Sequence, residues 1–357
     1  MMTKSKLFLY RFTTKNDILK TQKNIKLLFV KAGFASLVGK HELTAVKTHF
    51  GERGVSSFVA PEYIEPIIRK IKACGAKPFL SDTNVLYKSE RDNAVDHLNL
   101  AYEHGFTPEN TGAPVIIADG INGINEQEIE INAPLNRKVC IAREYLSANS
   151  IIVVTHATGH LATGVGATIK NLGMGMSSRK GKLVQHSVSH PYISETKCIK
   201  CGTCLKWCPA DAIILQERSA FIIDEKCIGC GECLAVCRPD AVKFKWNSGS
   251  TLLQQQIVEH ALGIVKEKKG KMGYFTFMIN MTKDCDCIAQ PAKFILEDIG
   301  VIAGTDPVAI DQAVWDLTRH EGKNISQHAY PNIDGEEQLR YGEKVGLGSR
   351  NYEIEEI

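Results

Sequence analysis

The residues best suited to chemistry are the cysteines, of which the chain has twelve, eight of them between Cys198 and Cys237. This stretch holds one internal repeat, because Lys197–Cys204 and Lys226–Cys233 share the pattern Lys-Cys-Ile-x-Cys-Gly-x-Cys. A local cysteine cluster in a chain without an export signal favours metal binding over a disulfide scaffold. Three thiolates at this spacing allow one tight turn of backbone to wrap a corner of a 4Fe-4S cube, so each half of the repeat is predicted to bind a cluster.

Each half of the repeat continues to a fourth cysteine, which three intervening residues separate from the third. Over about 50 residues this stretch resembles the bacterial two-cluster ferredoxins, in which the fourth cysteine serves the other cluster. The resemblance implies a crossed pattern of two 4Fe-4S clusters. Cluster one would be held by Cys198, Cys201, Cys204 and Cys237, and cluster two by Cys227, Cys230, Cys233 and Cys208.

Three details of this module bear on its ligands and its partner. In the first half Pro209 directly follows Cys208, whereas in the second half Arg238 separates Cys237 from Pro239. This insertion is expected to change the local turn, and it leaves the cysteine ligand in place. Zinc is the alternative metal, but it prefers ligands in two well-separated pairs, which these runs do not match. Between residues 198 and 245, seven Lys and Arg face six Asp and Glu, a balance that fits a module docked on its own host domain. Steering of an external partner stays open, since the clusters add negative charge.

A second chemical signal is Cys285-x-Cys287, flanked by Asp284 and Asp286. Two thiols in one turn can contact a metal or cofactor, form a redox pair, or be inert, and the sequence leaves these three interpretations open. The neutral imidazoles of His49, His156 and His160 would join such a site if the fold brings the strand ends together.

A glycine-rich run between His156 and His190 could cradle an anion, since glycines alternate there with cations and histidines. It matches neither a P-loop nor a dinucleotide fingerprint, and the alternative is a connection that carries solvated charge. The cofactor-binding residues predicted in it are Gly164, Gly166, Lys170, Asn171, Arg179, Lys182 and His186. The predicted catalytic residues are Lys47, His49, Asp119, His156, His160 and Lys170.

The elements that must position these residues read as an α/β domain with a mostly parallel sheet. Strands are predicted at 45–48, 77–81, 113–118, 151–155 and 274–279, and helices at 61–73, 94–104, 139–148 and 252–266. Lys47, Asp82 and Asp119 lie at or just beyond the carboxyl ends of predicted strands, so they are expected in one crevice. Lys47 would bind an anion there, and Asp119 would act as a general base or serve only the turn. Asp306 is predicted to cap a helix, and Cys74 and Cys140 to be buried thiols.

The predicted organisation is a host domain interrupted by an inserted α+β ferredoxin-type module. The host would comprise residues 1–191 and 246–357, and the two-cluster module residues 192–245. The composition agrees with a folded protein, since 357 residues with 44% hydrophobic content can bury a substantial core. A net charge of +3 argues against a nucleic-acid binder, and no apolar run reaches the length of a membrane span. A cytoplasmic protein is expected.

The chain as a whole resembles the DUF362 family of uncharacterised iron-sulfur proteins. The blocks that carry this resemblance are Val46–Glu52, Asp82–Asn84 with Tyr87 and Arg91, Asp119–Gly123, Gly159–Lys182, Asp284–Cys287 and Asp306–Asp311. The resemblance implies an α/β host with a two-cluster module, and it implies no known reaction.

These observations lead to three hypotheses about function. In the first, two clusters relay single electrons between a redox partner protein and a site in the host, which would hold an anionic small molecule or a second cofactor, such as a flavin or a further metal. This would make the protein an iron-sulfur oxidoreductase. In the second, the protein is an electron carrier with no reaction of its own, and in the third its clusters sense oxidation.

Overall fold

The structure, a computed structural model, describes residues 4–12, 17–186, 190–229, 231–244, 249–290 and 292–357. Its strands are β1 Ser5–Arg11, β2 Leu43–Lys47, β3 Lys77–Asp82, β4 Val115–Ile117, β5 Glu126–Glu130, β6 Lys138–Ala142, β7 Ser150–His156, β8 Thr158–His160, β9 Gly164–Gly166, β10 Tyr192–Ile193, β11 Ile213–Leu215, β12 Ala220–Ile222, β13 Val242–Lys243, β14 Met272–Met278, β15 Gly300–Gly304 and β16 Tyr352–Glu356. Its α-helices are α1 Ile18–Lys31, α2 Pro61–Ala73, α3 Ala94–Glu103, α4 Pro108–Thr111, α5 Arg143–Ser147, α6 Thr168–Gly173, α7 Arg179–His186, α8 Thr203–Lys206, α9 Glu232–Val236, α10 Ser250–Lys268, α11 Pro307–Leu317, α12 Ile325–Ala329 and α13 Glu337–Lys344.

Eight strands form the central sheet, in the order β16-β1-β15-β14-β7-β2-β3-β4. Every neighbouring pair is parallel except at β15, which is antiparallel to both β1 and β14. The predicted α/β fold with a mostly parallel sheet is therefore confirmed. Because β2, β3, β4, β7 and β14 run in the same direction, the segments that follow them meet at one edge of the sheet.

Helices cover both faces of the sheet, and two apolar cores fill the space between. Along β7, Ile151 and Val153 pack into one core, while Ile152 and Val154 pack into the other. This alternation follows from the two-residue period of a strand, and burial on both faces is typical of parallel strands. Within the ranges that the structure describes, no helix combines the length and apolar character that crossing a membrane requires.

The short helix α6 is fixed at both of its ends. The Asp311 carboxylate accepts hydrogen bonds from the backbone N–H groups of Thr168 and Ile169, each at 2.8 Å, and so satisfies free donors at the start of the helix. At its other end, Gly173 lies so close to α10 that a Cβ atom would overlap the Ile257 carbonyl oxygen. The two contacts determine where α6 carries Lys170 and Asn171.

Most predicted elements are confirmed, and α2 has the predicted bounds because Pro61 opens it and a 3.6-residue apolar period continues to Ile71. The helix predicted over residues 139–148 is wrong in its first half. Residues 138–142 form β6, which pairs antiparallel with β5, and only Arg143–Ser147 is helical. A short apolar run cannot distinguish a buried strand from a buried helix by its period.

Two predictions about single residues have different outcomes. The Asp306 side chain caps α11, since it accepts from Val308 N at 2.9 Å and Ala309 N at 3.0 Å, which confirms the predicted cap. Cys140 is buried as predicted, whereas Cys74 is only half-buried because it lies at the end of α2.

The cysteine-rich stretch forms its own small unit between α7 and α10. The strand β10 pairs antiparallel with β13, and β11 with β12, around the short helices α8 and α9. A small apolar core, separate from the two that flank the large sheet, fills it. Leu183 of α7 packs with Leu234 and Phe244 of this unit and with Leu86 of the host, which joins the two parts.

Candidate functional site

A cavity of about 860 Å³ lies at the edge of the sheet where the parallel strands end. The loops after β2, β3, β7 and β14 line it, together with side chains of α6, α7 and α10. Most of the predicted host-site residues line this cavity: Lys47, His49, His156, His160, Gly166, Lys170, Asn171, Lys182, His186, Cys285 and Cys287. The expectation that Lys47, Asp82 and Asp119 would meet in one crevice holds for Lys47 and Asp82, which line this cavity, and does not hold for Asp119.

The ends of β2 and β3 are joined by a buried ion pair. Lys47 Nζ lies 2.9 Å from Asp82 Oδ1 and donates to Asn171 Oδ1 of α6 at 2.8 Å. Burial lowers the pKa of Lys47, although Asp82 opposes this effect. Burial alone would raise the pKa of Asp82, but Lys47 and the neighbouring cations hold it well below its usual range. The lysine is therefore already paired, and its ammonium group faces the cavity as part of a fixed network.

A second network surrounds the buried guanidinium of Arg91. It makes an ion pair with Glu52 at 3.1 Å, donates to the Tyr87 hydroxyl at 2.5 Å, and lies 3.0 Å from His49 Nε2. Burial and then Arg91 lower the pKa of His49 well below its ordinary value, so the imidazole is neutral. The Tyr87 hydroxyl donates to the Cys287 carbonyl oxygen at 2.7 Å, which ties the network to the loop after β14.

His156, at the end of β7, has both ring nitrogens engaged. Nδ1 lies 2.8 Å from Asp286 Oδ2, and Nε2 lies 2.7 Å from the Ile279 carbonyl oxygen. Burial would lower the pKa of His156, but Asp286 and the backbone carbonyl raise it above its ordinary value. The Ser57 hydroxyl donates to the other Asp286 oxygen at 2.7 Å. His156 thus anchors the loop that carries the cysteine pair, and neither of its nitrogens is available to a metal.

The cysteine pair meets two of the predicted residues at one end of the cavity. Cys285 and Cys287 are joined by a disulfide, and a ring nitrogen of His160 and the two sulfurs all lie within 4.8 Å of one another. Lys170 Nζ lies 3.7 Å from Cys285 Sγ and 3.9 Å from Cys287 Sγ. Burial, reinforced by Arg91 and Lys47, lowers the pKa of Lys170 to about 8. Burial likewise keeps the pKa of His160 well below its ordinary value.

Three predicted residues lie off the cavity lining. Asp119 is buried after β4 and accepts hydrogen bonds from Asn84, at 3.0 Å from N and 2.9 Å from Nδ2. Burial raises the pKa of Asp119 to about 6. Arg179 donates to the Asp92 carbonyl oxygen. Gly164 turns the β8–β9 hairpin with a φ of 73°, where an added Cβ would meet Ser326. All three brace the surrounding loops.

Two predicted residues of α7, Lys182 and His186, line the cavity. Lys182 donates to the Thr83 hydroxyl and to the Ser177 carbonyl oxygen, both at 2.6 Å. Burial lowers the pKa of Lys182 to about 8 and that of His186 to about 3. His186 is consequently neutral, and the cavity wall formed by α7 combines one lysine with one uncharged imidazole.

In the module, the described cysteines gather around two small cavities. One cavity is lined by Cys198, Cys201, Cys204 and Cys237, and the other by Cys208, Cys227 and Cys233. Cys230 lies outside the described residues. Three sulfurs accept backbone N–H groups: Cys208 from Ala212 at 3.2 Å, Cys198 from Ala220 at 3.4 Å, and Cys237 from Ala241 at 3.2 Å.

Several residues of the site have no role assigned by sequence reasoning. Arg91, Glu52 and Tyr87 belong to blocks of the family resemblance, but nothing in their spacing indicates that they form one buried network. Asp311, which fixes α6, is remote from that helix in sequence. The sequence marks Asp286 only as a neighbour of the cysteines, and its contact with His156 spans 130 residues. Only the fold brings these partners together.

The fold and cavity together define an α/β protein whose mostly parallel sheet places a ligand-sized cavity at its carboxyl edge. The family model DUF362, described as a domain of unknown function, matches residues 44–316. The chain therefore belongs to the DUF362 family. No curated protein matches it in sequence.

Two solved structures are similar to this chain over part of their length. The lactate racemase apoprotein from Thermoanaerobacterium thermosaccharolyticum has 10% identity and a TM-score of 0.45, over 89% of this chain and 58% of that one. A structural-genomics protein from Thermotoga maritima has 10% identity and a TM-score of 0.40, over 73% of this chain and 50% of that one. The chain thus spans between half and three fifths of the length of these two structures.

Proposed function

We propose that this protein is an iron-sulfur redox protein in which two 4Fe-4S clusters exchange single electrons with a small-molecule or second-cofactor site in the host cavity. The proposal rests on four features: the grouping of the cysteines, the distances between their sulfurs, the position of the module, and the charge of the cavity. An external redox partner protein would supply or remove the electrons.

The grouping of the cysteines is the observation that carries the proposal. Cys237, from the second half of the repeat, lines the cavity of the first three cysteines, whereas Cys208 lines the cavity with Cys227 and Cys233. This crossed arrangement is that of two-cluster ferredoxins. Cys198, Cys201, Cys204 and Cys237 would hold one cluster, and Cys208, Cys227, Cys230 and Cys233 the other.

The distances between sulfurs favour a polynuclear cluster over zinc. Four sulfurs at 2.3 Å from one zinc ion would lie about 3.8 Å apart. Among the described side chains, no three ligand atoms of the module lie within 4.8 Å of one another, whereas those of His160, Cys285 and Cys287 do. No three sulfurs of the first set are therefore as close together as one zinc ion would hold them, which favours a cluster. Backbone N–H groups directed at three of the sulfurs would stabilise thiolates.

The position of the module supports transfer between it and the host. Gly231 lines the cavity of Cys208, Cys227 and Cys233. It also lies against the Leu183 side chain of α7, since a Cβ added to Gly231 would be 3.3 Å from that side chain. Leu183 adjoins Lys182, which lines the host cavity. When bound, each cluster would accept and release one electron, and the second cluster would be the one nearer the host.

The charge of the host cavity favours an anionic ligand. Lys170 and Lys182 lie on its walls, and Asp82, Glu52 and Asp286 are already engaged with Lys47, Arg91 and His156. A volume of about 860 Å³ is within the range of pockets that bind small molecules. An electron carrier with no reaction of its own would not need such a cavity, so the first hypothesis is preferred.

The test is metal analysis and redox titration of the full chain purified without oxygen. We expect about eight irons per chain and a visible absorbance that dithionite bleaches with uptake of about two electrons. The double variant Cys208→Ser, Cys237→Ser should lose this absorbance, and Cys140→Ser, which removes a buried thiol of the host, should keep it. Fewer than about one iron per chain, or iron that dithionite does not reduce, would reject the proposal.

A further inference from the structure

We propose that His160, Cys285 and Cys287 form a mononuclear site for a borderline-soft divalent metal ion of the zinc class, with one coordination position open to the host cavity. This inference goes beyond the proposed electron relay and does not depend on it, because none of the three residues belongs to the cysteine-rich module. It requires the two cysteines in their reduced form.

The three ligand atoms already converge. A ring nitrogen of His160 and the sulfurs of Cys285 and Cys287 lie within 4.8 Å of one another, and the three side chains line the same cavity. Two thiolates and one imidazole form a ligand set that zinc uses in catalytic sites, where a water or substrate takes the fourth position. The two sulfurs are bonded to each other here, so they must separate after reduction to admit a metal ion among the three ligand atoms.

The neighbouring carboxylates are engaged elsewhere, which leaves the fourth position to the cavity. Both oxygens of Asp286 are engaged, one with Ser57 at 2.7 Å and the other with His156 at 2.8 Å. Asp284 accepts a hydrogen bond from the Tyr330 hydroxyl. His156 has no free ring nitrogen, as both of its nitrogens are bonded. The site is therefore a three-ligand site within the described residues, the form that catalytic zinc takes.

The surroundings of His160 select one of its nitrogens. Nδ1 faces the backbone N–H groups of Ala162 and Thr163 at 3.2 Å and the Thr163 hydroxyl at 2.9 Å, so Nε2 is the nitrogen left for a metal. In this structure Nδ1 accepts from the two backbone N–H groups, which places the ring proton on Nε2; metal on Nε2 requires that proton to move to Nδ1 and the two backbone N–H groups to give up this acceptor. The Thr163 hydroxyl can then accept that proton's hydrogen bond, since it donates its own to the Val165 carbonyl oxygen at 2.9 Å. A ligating histidine usually has such a supporting partner.

The charges also match a divalent ion. Two thiolates balance the charge of the metal, and the Lys170 amino group, 3.7 Å and 3.9 Å from the sulfurs, can donate hydrogen bonds to them. The disulfide must open first, which consumes two electrons and two protons and gives two thiols. Metal binding then releases both thiol protons. In the test below, a trialkylphosphine and water supply the electrons and protons, and the phosphine leaves as its oxide.

The experiment adds one equivalent of zinc chloride to the phosphine-reduced full-length protein without oxygen, followed by zinc-edge X-ray absorption. This method does not detect iron. The expected result is about one zinc per chain with two sulfurs at about 2.3 Å and one nitrogen at about 2.0–2.1 Å in its first shell. A shell of four sulfurs would place the zinc in the module and overturn the assignment. A shell without sulfur, or no bound zinc, would overturn it equally.

Three variants locate the site. Cys285→Ser with Cys287→Ser should abolish stoichiometric zinc binding, and Cys74→Ser should leave it unchanged. Thr163→Val, which keeps the shape of the side chain and removes the hydroxyl, should weaken binding about 10- to 100-fold while both sulfurs remain in the shell. Full-strength binding by the double cysteine variant would refute the proposal. If that variant does not fold, the wild-type shell and the Thr163→Val affinity still decide the question.

Discussion

Lys47 and Asp82 are the last residues of two adjacent parallel strands, and their side chains form an ion pair of 2.9 Å out of contact with solvent. Removal of one partner would leave an uncompensated buried charge, whereas removal of both would not. We expect Asp82→Asn to lower the free energy of unfolding by about 3–5 kcal/mol. The double variant Lys47→Met, Asp82→Asn should be clearly more stable than the sum of the two single effects predicts.

Urea denaturation of the wild type, both single variants and the double variant measures this coupling directly. The conclusion would be wrong if each single variant cost less than about 1 kcal/mol, the cost typical of a surface pair. Strictly additive losses would also contradict it, because additivity is the behaviour of residues that do not interact.

The burial of Asp119 predicts a defined pH dependence of stability. Its pKa is about 6 in the folded protein against 3.8 for an ordinary aspartate, so the folded state holds the proton more tightly than the unfolded chain. The stability that this proton contributes is fully present below about pH 4 and is lost as the pH rises through 6. The shift corresponds to at most about 3 kcal/mol. Because other groups also titrate in this range, the measured quantity is the difference in unfolding free energy between the wild type and Asp119→Asn.

The unfolding free energy of the wild type minus that of Asp119→Asn should decrease between pH 4 and pH 7, because only the wild type loses a stabilising proton. Asparagine has nearly the same shape and does not titrate, so it removes this contribution alone. A difference that is flat across the range would show that Asp119 does not titrate as its burial requires.

The contact between α6 and α10 predicts that Gly173 does not tolerate a side chain. Alanine there would drive a methyl group into the Ile257 carbonyl oxygen, so the helices would have to separate. We expect Gly173→Ala to cost about 1–3 kcal/mol or more, despite the better helix propensity of alanine. Gly249→Ala is the matched control, because a Cβ there meets nothing within 4 Å, and it should cost about 1 kcal/mol or less. Equal losses in the two variants would disprove the steric explanation.

The crossed cysteine grouping predicts which double variants lose one cluster and which lose two. Cys237 shares its cavity with Cys204 and not with Cys233. The variant Cys204→Ser, Cys237→Ser should therefore retain about four irons per chain, and Cys233→Ser, Cys237→Ser should retain almost none. Iron analysis and electron paramagnetic resonance of the reduced proteins measure the two outcomes. The reverse pattern would mean that each half of the repeat holds its own cluster.

Sequence patterns predict the structural features that depend on residues close together along the chain. The apolar period of α2, the strand ends at Lys47 and Asp82, and the cap at Asp306 all follow from local spacing, and the structure agrees with them. Strand direction then accounts for their convergence on one edge.

The remaining features depend on partners that are distant in sequence. His156 was a catalytic and ligand candidate by residue type, yet Asp286 and the Ile279 carbonyl occupy both of its nitrogens. Asp119 follows a strand as expected, but its side chain turns to Asn84 and away from the cavity. His160, by contrast, does meet Cys285 and Cys287 as the sequence allowed. Which histidine reaches the thiols depends on the packing of loops, and no periodicity encodes that.

The module's two connections to the host are also walls of the host cavity. Lys182 and His186 of α7 line the pocket on the way into the module, and Leu253 and Ile257 of α10 line it on the return. The module therefore cannot be removed without affecting the host cavity. The fold of the module sets the distance between α7 and α10. If the module were deleted and α7 joined directly to α10, these two cavity walls would shift, and the ligand affinity of the host would change even though every residue that lines the cavity remained. A change that removes or unfolds the module should therefore also alter the cavity.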